Sequence, residues 1–140
     1  MLYSDKIKKA CQICFDAHKD DVDKSGYPYV MHPLHLAEQM DDEDSTIVAL
    51  LHDVIEDHGD RYSLEYLSSC FGSDIAKSIN LLTHKDEVTY MEYVKEIKKD
   101  KTARKVKIAD LKHNLDISRL GGSKPYKYDT YKEALEFLER

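Results

Sequence analysis

The amino-acid sequence predicts an all-α fold, a bundle of about eight helices, and two observations carry this prediction. Only five glycines and three prolines occur among 140 residues, and scarce turn formers favour helices over strands joined by tight turns. Apolar residues also recur at intervals of three and four along the whole chain, which is the spacing of helices with one buried side. One short hairpin is the most sheet that this pattern allows.

Four helices are predicted in the first half of the chain, at residues 4–18, 32–40, 45–58 and 63–71. Proline favours the first position of a helix, so Pro33 puts His32 near the N-cap of the second helix. Asp44 or Ser45 can cap the third helix. His58 and the glycine after it supply the end of that helix.

Four more helices are predicted in the second half, at residues 74–82, 90–100, 102–120 and 128–138. The long seventh helix stops at the pair Gly121-Gly122. Because no linker, repeat or low-complexity segment interrupts this pattern, residues 1–140 are predicted to form a single domain. A chain of this length can bury roughly two-thirds of its unfolded surface.

The composition indicates a soluble protein of a reducing compartment. Hydrophobic residues make up 41% of the chain and charged residues 34%. No apolar run is long enough to cross a bilayer, and the N-terminal segment lacks the apolar core of a signal peptide. Three cysteines without a framework spacing favour a cytoplasmic location. The pair Cys11 and Cys14 falls on the apolar side of the first helix, which predicts a place in the core rather than a metal or redox role.

The net charge of −6 argues against nucleic-acid binding, which needs a basic surface. One segment is nevertheless strongly basic, with Lys95, Lys98, Lys99, Lys101, Arg104, Lys105 and Lys107. A solvated helix face and a phosphate-facing patch are both consistent with this run.

The stretch "LLHDVIEDHGD" places acidic pairs and a histidine in a segment that is otherwise apolar. A buried carboxylate costs several kcal/mol unless it is paired or bound to a cation. On a helix, His52 and Glu56 stand in one row, and Asp53 and Asp57 stand in the next. An imidazole and a carboxylate at adjacent positions can approach one cation from different sides.

Two further stretches supply similar ligands. "YVMHPLHLAEQ" offers His32 at a helix start, and "VKIADLKHNLDISRL" offers Asp110 within an apolar run, with His113 and Asn114 one turn later. Together with His52 and Asp53 they provide two nitrogens and two carboxylates. Such a set suits manganese, iron or zinc and leaves coordination positions for water and a phosphate oxygen.

In their order, these motifs resemble the HD-domain metal-dependent phosphohydrolases, and among them the hydrolase domain of the Rel/Spo alarmone family. The resemblance covers most of the chain. It rests on "AHKDDVDKSGYPYVMHPLHLAEQM", "STIVALLHDVIEDH", "FGSDIAKSINLLT" and "VKIADLKHN". It implies a helical-bundle fold, in agreement with the pattern of apolar residues.

The resemblance also implies roles for nine residues. Glu56 and Asp57 would activate or orient the attacking water, and the cofactor would be Mn²⁺, with Fe²⁺ and Zn²⁺ as alternatives. The implied metal ligands are His32, His52, Asp53 and Asp110, and the implied substrate-binding residues are Lys24, Ser25 and Asn114. The family reaction removes pyrophosphate from the 3′ position of guanosine tetra- or pentaphosphate, so the expected partner is a small nucleotide.

Three positions depart from the family pattern, where basic residues are usual: Asp23, Leu111 and Asp116. Lost positive charge weakens the binding of a highly phosphorylated substrate. These departures predict weak activity on guanosine tetraphosphate and a preference for a less charged nucleotide, although Lys24, Lys107 and Lys112 could restore the charge.

Two classes of function fit the sequence, a metal-dependent phosphohydrolase and a non-catalytic nucleotide-binding module with the same fold. The enzyme is favoured because a binding module has no need of Glu56 and Asp57. Among the remaining histidines, His113 is expected to pack beside the ligands. Surface or packing positions are expected for His18, His35, His58 and His84, with His18 the best candidate for another role.

Overall fold

The computed structural model describes residues 1–140, apart from the side chain of Leu120. The chain forms nine α-helices and one 3-10 helix, Ile117–Leu120. The α-helices are α1 Asp5–Ala17, α2 Met31–Glu38, α3 Glu43–Leu51, α4 Val54–His58, α5 Leu64–Phe71, α6 Ser73–Leu81, α7 Tyr90–Lys98, α8 Lys101–Asn114 and α9 Tyr128–Glu139. Within the described residues, the β structure is one isolated antiparallel bridge between Val22 and Pro28. The all-α prediction is confirmed.

Short polar side chains fix the starts of several helices. Ser4 accepts a hydrogen bond from the backbone N–H of Ile7 at the start of α1. Asp42, rather than the predicted Asp44 or Ser45, caps α3, and its carboxylate accepts the N–H of Ser45 at 2.7 Å. Asp42 is in the extended backbone conformation that an N-cap adopts, while the two predicted residues lie inside the helix.

The predicted third helix is broken at His52 and Asp53. These residues form a turn between α3 and α4, with φ and ψ of −105° and −1° at Asp53. The apolar pattern does not reveal the break because Leu51 and Val54, on either side of it, are both fully buried. The turn changes how the two side chains are presented, so they do not lie on one regular helix.

Two other boundaries differ from the prediction. The long seventh helix ends at Asn114 instead of residue 120, and Asp116 caps the 3-10 helix that follows by accepting the N–H of Ser118. His32 is the second residue of α2, with Pro33 third, and Val30 precedes the helix as N-cap. Proline is tolerated there because the N–H groups of a first turn have no partner within the helix.

Helix α3 is the centre of the core. It packs against α1, α2, α6 and α8, and every residue from Ser45 to Leu51 is buried. Cys14 is fully buried, and Cys11 is half-buried against the same core, as predicted. In the part of the chain that the structure describes, no helix is long and apolar enough to cross a membrane.

Candidate functional site

Four side chains that the sequence singled out converge at one point, from α2, the turn between α3 and α4, and α8. His32 Nε2 lies 2.8 Å from Asp110 Oδ1. His52 Nε2 lies 3.1 Å from Asp53 Oδ2 and 3.8 Å from Asp110 Oδ1. His32, His52 and Asp110 are buried, and the Asp53 side chain is 17% exposed. Two imidazoles and two carboxylates therefore meet at the edge of the core.

The ring of His52 is oriented as a metal ligand would be. Its Nδ1 lies 2.7 Å from the carbonyl oxygen of Ala49 and must donate the proton, because a carbonyl can only accept. Nε2 is therefore the ring nitrogen that faces the carboxylates, and it is buried and makes no aligned hydrogen bond. A divalent cation would satisfy this nitrogen and the carboxylate oxygens around it. The residues present therefore fit a metal ion.

His113 supports His32 from the other side of its ring. The two Nδ1 atoms lie 2.7 Å apart and the rings are stacked at 4.9 Å. Burial and then the neighbouring His32 and Arg119 together lower the pKa of His113 to about 3, so its Nδ1 is a neutral acceptor. His32 then donates through Nδ1 and keeps Nε2 for the metal position. His113 lies beside the ligands, as expected.

The two carboxylates stay ionised despite their burial. Burial acts to raise the pKa of Asp110, but Lys107 and His32 outweigh it and hold that pKa well below its usual range. The pKa of Asp53 is also low, because His52 and the hydroxyl of Tyr29 outweigh burial. Burial disfavours a charged His52, but without a cation Asp53 and Asp110 raise the pKa of this ring above its ordinary value, so a metal ion would displace the proton on Nε2. The cluster thus attracts positive charge.

The basic segment of residues 95–107 contributes Lys107 to the candidate site. Its Nζ lies 2.9 Å from Asp110 Oδ2 and 5.3 Å from the centre of the Tyr93 ring. Of the seven basic residues, Lys107 alone lines the cavity above the metal-binding cluster. Lys95, Lys99 and Lys101 are exposed, whereas Lys98 and Arg104 donate to backbone carbonyls of α9. Most of the run is therefore a helix surface, with one cation at the site.

A cavity of about 530 Å³ opens above the cluster, and Glu56 lines its wall. One carboxylate oxygen of Glu56 accepts the backbone N–H of His84 at 2.9 Å, which fixes the side chain. Asp57 is exposed and does not line this cavity. Partial burial of the carboxylate, together with the charges of Asp53 and Glu56, raises the pKa of Asp57 to about 6. The two acidic residues thus face different surroundings.

Two of the three predicted substrate-binding residues, Asn114 and Lys24, line the cavities at the cluster, and Ser25 does not. Asn114 donates to Asp110 Oδ1 at 3.2 Å and lines the main cavity and an adjoining one of about 290 Å³. Lys24 lines the adjoining cavity together with Arg119. Ser25 lines neither cavity, and its hydroxyl donates to the backbone carbonyl of Arg119 at 3.4 Å.

Several residues around the site were missed by sequence reasoning. They are tyrosines and cations that line the cavities: Tyr29, Tyr90, Tyr93, Arg119, Tyr126, Lys127 and Tyr131. Tyr29 stands three residues before His32 and donates to Asp53. That spacing was a usable signal, but a loop tyrosine has no periodic pattern. Arg119 and Lys127 come from segments that only the fold brings back to the site.

The three departures from the family pattern have different structural consequences. Leu111 is fully buried in the core, on a side of α8 that does not face the cavities. Asp116 caps the 3-10 helix, and the carboxylate of Asp23 accepts the N–H groups of Ser25 and Tyr27. Lys112 pairs with Glu139 and does not line a cavity, so it does not restore charge.

The other histidines are divided between packing and a second cluster. His35 stacks on His113 at 4.1 Å in a packing position, whereas His84 stacks on Tyr93 at 4.6 Å and also lines the main cavity. His18 is buried and His58 is half-buried, and both contact the carboxylate of Asp21. This second cluster stands apart from the cavities.

Comparison with known proteins gives consistent relatives. The chain is 31% identical over 126 residues to a probable GTP pyrophosphokinase of Mycobacterium leprae, which covers 81% of this chain and 16% of that protein. It is 33% identical over 92 residues to the guanosine-3′,5′-bis(diphosphate) 3′-pyrophosphohydrolase of Aquifex aeolicus, with 63% of this chain and 13% of that protein covered. The chain spans less than a fifth of the length of these relatives.

A solved structure has the same fold. It belongs to a metazoan orthologue of SpoT that hydrolyses ppGpp, with a TM-score of 0.78 at 23% identity, and the match covers 100% of this chain and 88% of that one. The family model described as HD domain matches residues 10–115, which contain His32, His52, Asp53 and Asp110. Because this match spans more than half of the chain, the chain belongs to the HD-domain family.

Proposed function

We propose that the protein is a metal-dependent phosphohydrolase that acts on a nucleotide, similar to the guanosine-3′,5′-bis(diphosphate) 3′-pyrophosphohydrolases. One observation carries the proposal: a buried imidazole nitrogen, His52 Nε2, meets ionised carboxylates at the base of an open cavity. Membership of the HD-domain family supports the same chemistry.

We propose that His32, His52, Asp53 and Asp110 hold the cation, and that the cation is Mn²⁺, with Fe²⁺ and Zn²⁺ as alternatives. Two nitrogens and two carboxylate oxygens suit all three ions. When bound, the cation lowers the pKa of a coordinated water and polarises a phosphate oxygen. Lys107 offsets part of the carboxylate charge through its 2.9 Å contact with Asp110.

Glu56 is the group that we propose as proton acceptor and orienting residue for the attacking water. It lines the cavity wall and is held by the N–H of His84. A positioned acid or base of this kind is worth about a hundredfold or more in rate. Asp57 lies outside the wall but within electrostatic range of Glu56, so its proposed part is to orient the attacking water indirectly, through its charge.

Cations around both cavities support a polyphosphate substrate. Lys107 and Lys127 line the main cavity, and Lys24 and Arg119 line the adjoining one. The sequence predicted weak activity on guanosine tetraphosphate because three basic residues are replaced. Leu111 is in the core, and Arg119 supplies a cation that sequence reasoning overlooked. We therefore propose that guanosine tetraphosphate is a substrate, bound with Asn114 and Lys24 against the nucleotide and its pyrophosphate facing the metal ligands.

A turnover assay on the purified Mn²⁺-loaded protein tests this function. Guanosine tetraphosphate should release pyrophosphate and leave GDP, whereas GTP and GDP, which lack the 3′ group, should not react. Faster turnover of a less charged phosphoester would restore the original sequence prediction. Nucleotide binding without any turnover, at full metal occupancy, would assign the protein to the class of non-catalytic binding modules.

We also propose that residues 1–140 form one HD domain. One cluster of buried side chains includes residues from α1, α3, α8 and α9. A single unfolding transition in urea, seen alike by circular dichroism and tyrosine fluorescence, is the expected result, and two separate transitions would contradict it.

A further inference from the structure

A second group of metal-binding side chains lies outside the site described above. It combines His18 at the end of α1, Asp21 in the loop that follows, and His58 at the end of α4. Asp21 Oδ2 lies 2.9 Å from His18 Nδ1 and 2.6 Å from His58 Nε2. Three possible ligand atoms, from three separate segments, lie within 4.8 Å of one another.

The group is buried at His18 and open to solvent at Asp21 and His58. The His18 side chain is fully buried, while Asp21 and His58 are 30% and 19% exposed. The other nitrogen of His18, Nε2, is buried without a hydrogen-bond partner. Asp21 is therefore the single polar partner of that ring among the described residues, and a solvated ion could reach the shared carboxylate oxygen from outside.

The candidate metal centre provides an internal comparison for these short distances. Tetrahedral zinc, with bonds of about 2.0–2.2 Å, holds its ligand atoms about 3.3 Å apart. The separations are 2.8 and 3.1 Å in the metal centre, at His32–Asp110 and His52–Asp53. Those in the second group are similar at 2.6 and 2.9 Å. Each group would need to open by less than about 1 Å to admit an ion.

We propose that His18 Nδ1, Asp21 Oδ2 and His58 Nε2 form a second divalent-cation site of the zinc class. Two imidazoles and one carboxylate, with solvent in the remaining position, are a common ligand set for Zn²⁺. The alternative is a purely hydrogen-bonded group that closes the loop after α1. Both account for the short contacts, but only a cation site predicts saturable metal binding.

The site would also anchor the loop that carries Tyr29. The backbone N–H of Tyr29 donates to the carbonyl of Asp21 at 2.9 Å, and its ring packs on His18 at 4.9 Å. The hydroxyl of Tyr29 in turn donates to Asp53. A cation at His18, Asp21 and His58 would tie this loop to α4 and hold Tyr29 against the metal centre.

Zinc stoichiometry of the full chain tests the proposal. Protein saturated with Zn²⁺ and freed of excess ion should carry two ions per chain by elemental analysis. Asp21→Asn and His58→Gln should each carry one. Asp20→Asn is the matched control, because it removes the same charge from the exposed neighbouring residue, and it should carry two. His52→Ala should keep one ion, and His52→Ala with Asp21→Asn should keep none.

A wild-type chain that saturates at one ion, or an Asp21→Asn variant that still holds two, would overturn the second site. Circular dichroism of each variant checks its fold. If Asp21→Asn does not fold, His58→Gln gives the answer, since a half-buried glutamine retains a hydrogen-bond donor. His52→Ala leaves the residues of the second group unaltered. A His52→Ala variant that binds no Zn²⁺ would therefore overturn the proposal on its own.

Discussion

The protein contains two histidine–aspartate groups that use the same kinds of ligand atom in different surroundings. The candidate metal centre of His32, His52, Asp53 and Asp110 is largely buried, and Lys107 and His113 contact its side chains directly. The group of His18, Asp21 and His58 is partly open to water, with no lysine or arginine in contact with it among the described residues. The first opens into a cavity and the second does not line one.

This difference shows that ligand atoms alone do not make a reactive site. At the metal centre, Glu56 stands on the cavity wall where a water could be oriented, and four cations line the two cavities. The second group could admit a cation and solvent after a small opening, but its residues line neither of the two cavities in which a phosphate could bind. Catalysis is therefore expected at the first group and a structural role at the second.

The largest expected effect comes from removing a ligand of the buried centre. Asp110→Asn should release that metal ion and lower turnover at least about a thousandfold, since the metal supplies several kcal/mol of transition-state stabilisation. Elemental analysis and pyrophosphate release measure the two effects. Full turnover in Asp110→Asn would contradict the ligand assignment.

A companion variant separates metal loss from instability. Asp110→Asn leaves Lys107 buried without its partner, which can cost about 3–5 kcal/mol. Lys107→Met together with Asp110→Asn removes both charges and should recover most of that stability. Metal and turnover should stay absent in the double variant. Asp20→Asn serves as control, and its turnover should match that of the wild type.

A smaller effect is expected for the acid on the cavity wall. Glu56→Gln keeps an acceptor for the N–H of His84 but removes the basic carboxylate, so turnover should fall about a hundredfold. The metal content should stay unchanged. Glu65→Gln, on the exposed side of α5, is the matched control. A rate loss below about threefold would exclude Glu56 as proton acceptor.

Tyr29 contacts both groups, and removing its hydroxyl tests whether this contact matters for metal binding. Tyr29→Phe removes the hydrogen bond to Asp53 while keeping the ring packed on His18. Groups that orient a metal ligand typically contribute 10–100-fold to metal affinity, so the Mn²⁺ affinity of the centre should fall about tenfold in a competition titration. Tyr27→Phe, an exposed tyrosine of the same loop, should leave it unaltered. Equal affinities in the two variants would remove Tyr29 from the site.

The sequence predicted the buried centre better than the second group, for a physical reason. His52, Asp53 and Asp110 interrupt apolar runs, and a polar residue in a core segment demands a partner. His18 and His58 stand at helix ends, where a polar residue needs no such explanation, so nothing marked them as neighbours. Their contact with Asp21 arises only when the loop after α1 folds back onto α4.

The break between α3 and α4 could not be predicted from the sequence for a similar reason. The apolar periodicity passes through His52 and Asp53 because α3 and α4 both bury their ends, at Leu51 and Val54. A turn that keeps the core continuous leaves no trace in the pattern. Arg119 and Lys127 were missed for a related reason, since exposed cations have no periodicity and only the path of the chain between α8 and α9 brings them to the cavities.

The smallest expected effect is on the free energy of unfolding when Asp57 is replaced. The carboxylates of Asp53 and Asp21, one from each group, both repel Asp57. Its pKa is about 6 in the folded protein, raised by burial and by Asp53, Glu56 and Asp21, against about 3.9 in the unfolded chain. Because the folded state binds the extra proton, stability falls as the pH rises from about 4 to about 6. In metal-free protein, Asp57→Asn should remove that loss.

The variant should therefore be more stable than the wild type at pH 7.5 and equal to it at pH 3.5, where both states are protonated. The gain should stay below about 1 kcal/mol, since solvent screens an exposed carboxylate. Urea titrations at the two pH values measure it, with the exposed Asp60→Asn as control. A gain that is the same at both pH values would show that charge is not its cause. Bound Mn²⁺ should make this gain in stability smaller, because the cation offsets the negative charge of Asp53, which repels Asp57.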